Sequence, residues 1–594
     1  MFVKETKVKR SGREYSYLQL VDGYRDENGK VRHRVVANLG RKDVLKDSGQ
    51  LEALAGSFAR LDPPLAGTRR SVGPLLLVEH FLRELNVKDT VDAGLPRSAR
   101  SILSVGEVVC ALVASRLCSP SPLYDVAGWA SGAAVHELLG IPPALLNDDR
   151  LGRALETFAV YAESLRSRVA AGAIERFGVD AGRLHVDLST VAVSGAYENS
   201  ALVAKGWASD RRVARQVRTL QASTADATVL YSRPDPGNAA ELTLVGASLE
   251  RLLQISGPGL LIVCDSAMGQ PKTMREIHDA GVRFVVPLRA SAGFGQQFLT
   301  DAGHAALRPV RYVPEREQKL PPDRRTVFKG VLRDWKIPAT DKHPPLKLRV
   351  AYIHSSEEAT QVAQARERAL VKAEDALTRM RNGLGGRYYK TREQVERRIG
   401  QIVGVNITGL IDVTVTTTRA GKLTLAWQRN QKAINTAASF DGIYALATNL
   451  PGRLSAGKVL RLYKDQQIVE RRHRDMKQTL KVRPIFLHND DRVHALLSIV
   501  GISLLIFGLI EAQTRAALGD DQQLPGLLPE GRAARPTGRN ILAAFQGLGL
   551  TYTHTGIQLD PLTDTQHHIL ELLQIQPPWP TQADHALANC GKWG

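Results

Sequence analysis

The run ALLSIVGISLLIFGLI, Ala495 to Ile510, constrains this chain more than any other stretch, because sixteen almost wholly apolar residues must leave water on every side. A bilayer or a protein core can accept them. A bilayer span needs roughly 18 to 20 such residues, and this run stops directly at Glu511. We therefore read it as a buried core helix rather than a membrane span, and such a helix demands a large body around it. The 594 residues supply that body, with room for about three or four domains.

The rest of the chain divides by periodicity. Residues 1–70 open with alternating apolar and polar positions (YSYLQLVDGY, KVRHRVVANLG) around Asp26-Glu27-Asn28-Gly29-Lys30, which has hairpin-turn chemistry, and read as a small basic β-rich module. Residues 71–178 change to helical spacing, as in VGEVVCALVASRLC, and read as a helical domain for DNA binding or dimerisation. GRLHVDLSTVAVSG and GLLIVCDSAMG are short strands that end in Asp187 and Asp265, with a turn at Asp235-Pro236-Gly237-Asn238 between them. Residues 291–440 are mixed and look inserted. Strand-like TVFKGVLRD, KLRVAYIH and KLTLAWQ alternate there with two charged helices within residues 357–402, broken at Gly383-Leu384-Gly385-Gly386. Residues 441–518 contain the apolar run, and residues 519–594 form a Gly-, Pro- and Arg-rich linker and a C-terminal segment.

Lys and Arg outnumber Asp and Glu by 79 to 60, a net +19 that calls for a polyanionic partner, nucleic acid ahead of an anionic membrane surface. The four cysteines, Cys110, Cys118, Cys264 and Cys590, suit neither a disulfide framework nor a structural zinc site. The FVKETKVKR that follows Met1 has no apolar core of signal-peptide length, which points to a reduced intracellular setting.

The stretch YKDQQIVERRHRDMKQTLK, Tyr463 to Lys481, puts one glutamate among many bases. As a single helix it brings Tyr463, Glu470 and Lys477 nearly into line, with Gln466 and Arg474 beside them and Leu462, Val469, Met476 and Leu480 as an apolar seam. The plain reading is a solvated face on which Glu470 pairs with Arg474 at i, i+4. Two acidic strand ends plus an acidic helix also offer the hard oxygen ligands that Mg²⁺ prefers, and two ions about 4 Å apart support in-line phosphoryl displacement. Arg474 and Lys477 would then neutralise DNA phosphates while Tyr463 donates to one.

These residues resemble a bacterial insertion-sequence DDE transposase of the insertion sequence number four superfamily, in its sixteen-thirty-four-like branch. The superfamily signature Y(2)R(3)E(6)K falls on Tyr463, Glu470 and Lys477, with Gln466 where the family has arginine; Lys464, Arg471 or Arg474 are the nearby cations. VDLSTVAVSG, the PGN turn, IVCDSAMG, DGIYALATNL, RPIFLHNDDRVHALL and the N-terminal YLQLVDGYRDENGKVRHRVVANLG carry the likeness further, to about residue 515.

The resemblance implies an α/β fold: an RNase H-like catalytic core, a mixed sheet flanked by helices, in two parts (179–290 and 441–518). A mixed, β-containing insertion domain fills the 205-residue step from Asp265 to Glu470. It implies a metal-binding catalytic triad of Asp187, Asp265 and Glu470, two Mg²⁺ ions for which Mn²⁺ could substitute, and DNA contacts from Tyr463, Lys464, Gln466, Arg474 and Lys477. It further implies cleavage at terminal inverted repeats in double-stranded DNA, transfer of 3′ hydroxyls into target DNA, a homodimer in the DNA complex, and a bacterial cytoplasmic, nucleoid-associated setting without a membrane. Trp335 and Trp427 are the candidates for holding a flipped base, against the ordinary reading of tryptophan as core. A non-catalytic transposase-derived DNA-binding protein and a nuclease without strand transfer are the rival readings. His185 reads as a hydrogen-bonded strand residue rather than a third ligand, and His488 and His494 as structural or DNA-facing.

Overall fold

The computed structural model describes residues 2–10, 13–25, 31–48, 50, 66–96, 102–207, 213–288, 294–341, 343–404, 407–419, 421–465, 467–480, 485, 487, 489–519 and 522–580. The anticipated turn at Asp26 to Lys30, Gln466, Lys481, His488 and Cys590 lie outside these residues. Two compact units form. The first holds Met1–Ala240, Gln254–Ser256 and Ile468–Gly594, and the second Glu241–Leu253 and Gly257–Gln467.

In chain order the strands used below are β1 (Phe2–Arg10), β2 (Arg13–Arg25), β3 (Val31–Arg41), β4 (Arg183–Ala192), β5 (Ala204–Trp207), β6 (Val213–Ser223), β7 (Val229–Pro236), β8 (Leu261–Cys264), β9 (Arg283–Pro287), β10 (Arg308–Val310), β11 (Phe328–Ile337), β12 (Leu346–Ser355), β13 (Ile411–Thr417), β14 (Leu423–Arg429) and β15 (Ile443–Thr448). The helices are α1 (Leu75–Glu84), α2 (Val105–Cys118), α3 (Asp148–Ala159), α4 (Ala162–Phe177), α5 (Glu241–Ser256), α6 (Pro271–Asp279), α7 (Ser356–Asn382), α8 (Arg392–Val403), α9 (Ala456–Lys464), α10 (Gln467–Arg474) and α11 (Asp490–Leu518).

In the first unit, β1, β2 and β3 make an antiparallel sheet with Leu18 and Val21 buried. The apolar run becomes the middle of α11, whose 29 residues extend well beyond it at both ends. By length and composition α11 could cross a membrane, yet 94% of its most apolar window is buried inside the protein. Helices α1 to α4 and strand β7 pack around it. Two glycines set the closest approach: a Cβ on Gly501 would sit 3.0 Å from Ser232 Cβ, and one on Gly508 would sit 2.9 Å from Thr228 Cα. Helix α2 starts on a capping box, with Ser104 Oγ accepting from the Glu107 N–H and Glu107 Oε2 accepting from the Ser104 N–H. Cys110 and Cys118 are free thiols, and Cys264 of the second unit forms no disulfide among the described residues.

Strand β6 pairs antiparallel with β4, with β7 and, at its start, with β5. Asp235 and Pro236 of the anticipated Asp-Pro-Gly-Asn turn are instead the last two residues of β7, still paired with β6; Gly237 and Asn238 make the turn, and Gly237 fits tightly against the sheet. Its carbonyl accepts from Gln216 Nε2 at 2.9 Å, its N–H donates to the Leu202 carbonyl at 3.0 Å, and a Cβ there would lie 1.9 Å from the Gln216 carbonyl oxygen.

In the second unit the sheet order is β10-β11-β12-β15-β9-β8. Strands β8 and β9 are parallel, joined by a crossover through α6, and the other pairs are antiparallel, so this sheet is mixed. Helix α9 covers it with Val459 and Leu460 buried against Val263, Val285, Ile353 and Leu446. Strands β10 to β12 come from the stretch anticipated to be inserted, and they extend the same sheet that contains β8 and β9. The two charged helices form as anticipated (α7 and α8) and share a separate core with the β13–β14 hairpin, built on Leu370, Leu377, Met380, Val395, Ile411 and Leu425. Trp427 packs on that core under the Arg381 guanidinium, 4.9 Å from the ring, whereas Trp335 is half-buried on β11 and donates to Gln297 Oε1 at 3.0 Å.

Gly237→Ala drives a methyl group into backbone, and a shift of β6 is the only relief. We expect destabilisation of about 1 to 3 kcal/mol, read as a lower midpoint in chemical denaturation, while Gly547→Ala, in open space and without a positive φ, serves as the control.

Candidate functional site

Asp187 is the fifth of ten residues in β4, so the anticipated strand end is corrected to mid-strand: antiparallel pairing with β6 continues from Leu188 to Ala192. Its half-buried carboxylate is held at both oxygens. Oδ1 accepts from the Leu188 N–H at 2.8 Å, and Oδ2 lies 3.3 Å from His473 Nδ1 on α10. Gln221, opposite Asp187 in the register, donates from Nε2 to Met476 Sδ at 3.1 Å. Asp265 follows the last residue of β8 and is half-buried, the strand-end position its apolar lead-in predicts.

His185 is fully buried, and burial first, then the charge of Arg183, lowers its pKa to about 3, so it stays neutral. The anticipated hydrogen bond is absent, since among the described residues neither ring nitrogen has a partner. His494 is half-buried on α11, with its pKa lowered by burial and then by Arg166.

The single helix anticipated from Tyr463 to Lys481 does not form. Helix α9 ends at Lys464, α10 runs from Gln467 to Arg474, and a π-helical turn, Asp475–Thr479, follows, closed by the Leu480 N–H on the Asp475 carbonyl at 2.9 Å. The wider turn takes Lys477, half-buried, out of the simple heptad line with Glu470. Tyr463 and Lys464 belong to the second unit. There Tyr463 packs half-buried with its ring centre 6.4 Å from that of Tyr444, and Lys464 Nζ sits 3.3 Å from Glu358 Oε1. Glu470 and Arg474 are exposed, and among the described residues neither has an ion-pair partner, so the i, i+4 pair is absent. Met476 and Leu480 are buried, as the apolar seam predicts.

What fixes α10 is a buried charge network that sequence spacing does not reveal. Arg472, 0% exposed, donates from Nε to the Ala227 carbonyl at 2.7 Å and from Nη1 to Asp475 Oδ2 and Glu511 Oε2, each at 3.0 Å. Glu511, 1% exposed at the end of the apolar run, also accepts from Arg471 Nη2 at 3.0 Å, from Arg515 Nη1 at 2.7 Å and from the Gly538 N–H at 3.0 Å. Burial raises the Glu511 pKa, but Arg472, Arg471, Arg515 and the Gly538 N–H outweigh it and leave the carboxyl below its ordinary value. Of the four cations that follow Glu470 (Arg471, Arg472, Arg474 and Lys477), Arg471 and Arg472 thus bond to the buried Glu511. His473 was also missed; only its place one turn after Glu470 hinted at it.

Within each unit, among the described residues, no group of three or more His, Cys, Asp or Glu side chains is gathered as a metal ligand set. The carboxylates on β4 and α10 are nevertheless hard oxygen donors of the kind Mg²⁺ takes. Residues 186–506, more than half of the chain, match the family model described as the transposase DDE domain. The chain belongs to the DDE transposase family.

Residues 3–64 of this transposase match the N-terminal domain of the IS1634 family transposases, and residues 68–170 match a domain of unknown function (DUF4277). The chain is thus an IS1634-like DDE transposase, and its mixed sheet flanked by helices fits the RNase H-like core that the resemblance implies. No curated protein matches. Among solved structures it is similar to one described as the Mos1 transposase paired-end complex with left transposon end, at 9% identity and a TM-score of 0.13, over 32% of this chain and 60% of that one. DDE transposase domains generally use divalent metal ions.

Two outcomes are expected. His473→Leu removes the ring nitrogen 3.3 Å from Asp187 Oδ2 and should weaken Mn²⁺ binding, followed by electron paramagnetic resonance on the metal-free protein, by about tenfold or more, whereas His473→Asn keeps a polar side chain there and most of the affinity. A depressed carboxyl pKa stabilises the fold above the unfolded value, about 4.3, and that contribution is lost as pH falls through the folded value. Glu511→Gln should therefore lower stability on the order of 3 kcal/mol at pH 7, with the gap to wild type closing below about pH 4 in urea denaturation.

Proposed function

We propose that this transposase cuts double-stranded DNA at the terminal inverted repeats of its insertion sequence and joins the freed 3′ hydroxyls to target DNA. The catalytic carboxylates are Asp187, Asp265 and Glu470. One juxtaposition carries the reading: His473 of α10 holds Asp187 of β4, and Glu470 stands one turn earlier on that helix, exposed and without an ion-pair partner among the described residues. The DDE match, which spans all three acids, supports it.

Asp187, Asp265 and Glu470 would hold the divalent ions. When bound, a pair of Mg²⁺ ions, for which Mn²⁺ can substitute, supplies a polarised nucleophile and charge neutralisation at the leaving oxygen. The protein's own residues do the rest. The hydrogen bond from the Leu188 N–H and the His473 ring nitrogen 3.3 Å from Oδ2 fix the Asp187 carboxylate before DNA arrives, so no ordering is needed at the moment of reaction. Arg474 and Lys477 neutralise backbone phosphates near Glu470, with Tyr463, Lys464 and Gln466 as further DNA contacts. The protein acts as a homodimer because two ends must be joined in one complex, and it works in the bacterial cytoplasm at the nucleoid.

In a plasmid excision assay with native flanking ends, Asp187→Ala, Asp265→Ala and Glu470→Gln should each lower excision on the order of 10³-fold or more, and any double variant should fall no further, because the carboxylates act as a unit. Excision by all three at the wild-type level refutes the assignment. Cut ends that never appear joined to target DNA would indicate the nuclease reading instead.

A further inference from the structure

The α7–α8 hairpin of the second unit segregates its charge. Residues 356–378 hold five acidic side chains against three basic ones, whereas residues 379–398 hold seven Arg or Lys against two Glu, so the balance moves from −2 to +5. The acids of the first stretch are largely matched from outside it: Arg429 bonds Glu367 and Glu374, Lys464 faces Glu358, and Arg316 meets Glu357. At the apex Arg392 pairs with Glu396 at 2.7 Å, but among the described residues Arg379, Arg387, Lys390 and Arg397 have no carboxylate partner.

The apex is also stiff. Leu384 and Tyr389 pack on the hairpin's own core, and Thr391 with Gln394 forms a capping box that starts α8. At its tip Tyr388 is 75% exposed, with the Arg387 guanidinium 5.9 Å from its ring centre.

A charged helix face is commonly explained by solvation alone. Segregation is different: +5 within twenty residues repels itself, and the repulsion is relieved where a polyanion replaces the counterions. Single-strand binders line up successive aromatic platforms, whereas this apex exposes one ring beside several cations, which suits phosphates along a duplex.

We propose that the apex of the α7–α8 hairpin is a DNA-contacting surface that grips the phosphate backbone of duplex DNA, in addition to the residues assigned around the catalytic helix. The inference rests on the DNA reading above and extends it to a part of the chain outside the signature.

The test uses the full chain and a fluorescent duplex of about 30 bp, with anisotropy titrations from about 50 to 200 mM KCl; each lost phosphate contact should lower the salt slope by about 0.9. Arg387→Gln/Lys390→Gln/Arg397→Gln should weaken binding by about tenfold or more and reduce the slope by about 2 to 3. A control that removes three exposed cations elsewhere in the unit, Lys272→Gln/Arg324→Gln/Arg453→Gln, should change both far less. Circular dichroism checks folding of both triples. If the apex triple binds like wild type, or the control loses as much, the proposal is overturned even when the wild type still excises. If excision survives the triad variants while the apex triple loses binding, the catalytic reading fails and the apex surface stands.

Discussion

The carboxylate of Glu511 organises the first unit. It is buried with three guanidinium groups and a backbone N–H around it, and two of those guanidinium groups come from the helix that carries Glu470. A lone buried charge costs several kcal/mol, and removing either side of such a set leaves the other exposed to that cost. The arrangement is therefore one in which helix α10 has few alternative positions. Arg472 adds a bond to the carbonyl of Ala227, a residue in the left-handed region at φ 73°, which ties the helix to the hairpin between β6 and β7 as well.

Attachment at Arg472 and contact at Asp187 are neighbours in sequence, because His473 is the next residue. One helix turn thus serves two ends: the inward face fixes α10 to the apolar core through charge, and the adjacent side chain holds a carboxylate of the sheet. Glu470 and Arg474 are left outside, where solvent, metal or DNA can reach them. The basic run around Glu470 therefore mixes two populations, cations committed to folding and cations available to a ligand, that composition alone does not separate.

Much of this was legible from the residues because the responsible forces are local. The apolar run declared α11, β-branched stretches declared β4, β8, β11 and β12, and the glycine pair region at 383–386 marked where α7 stops. Asp265 was placed correctly because an apolar strand leads directly into it. The misses share a cause in non-local pairing. Asp187 falls mid-strand because β6 is long enough to pair beyond it, the role of Arg472 depends on a glutamate 39 residues away, and the π-helical turn has no distinctive residue signature. Strands β10 to β12 join the sheet of β8 and β9 through a topology that no local pattern encodes.

Gly501, Gly508 and Glu511 lie on one helix, and each meets a particular partner: Gly501 receives Ser232 of β7, Gly508 receives Ala227 and Thr228 just before that strand, and the carboxylate receives the guanidinium groups. One residue turns an α-helix by about 100°, so an insertion or deletion between Gly501 and Glu511 would rotate the glycines and the carboxylate relative to each other. The helix behaves as a ruler with a fixed scale: its side chains can drift in identity wherever they are merely apolar, but the count between these three positions is locked.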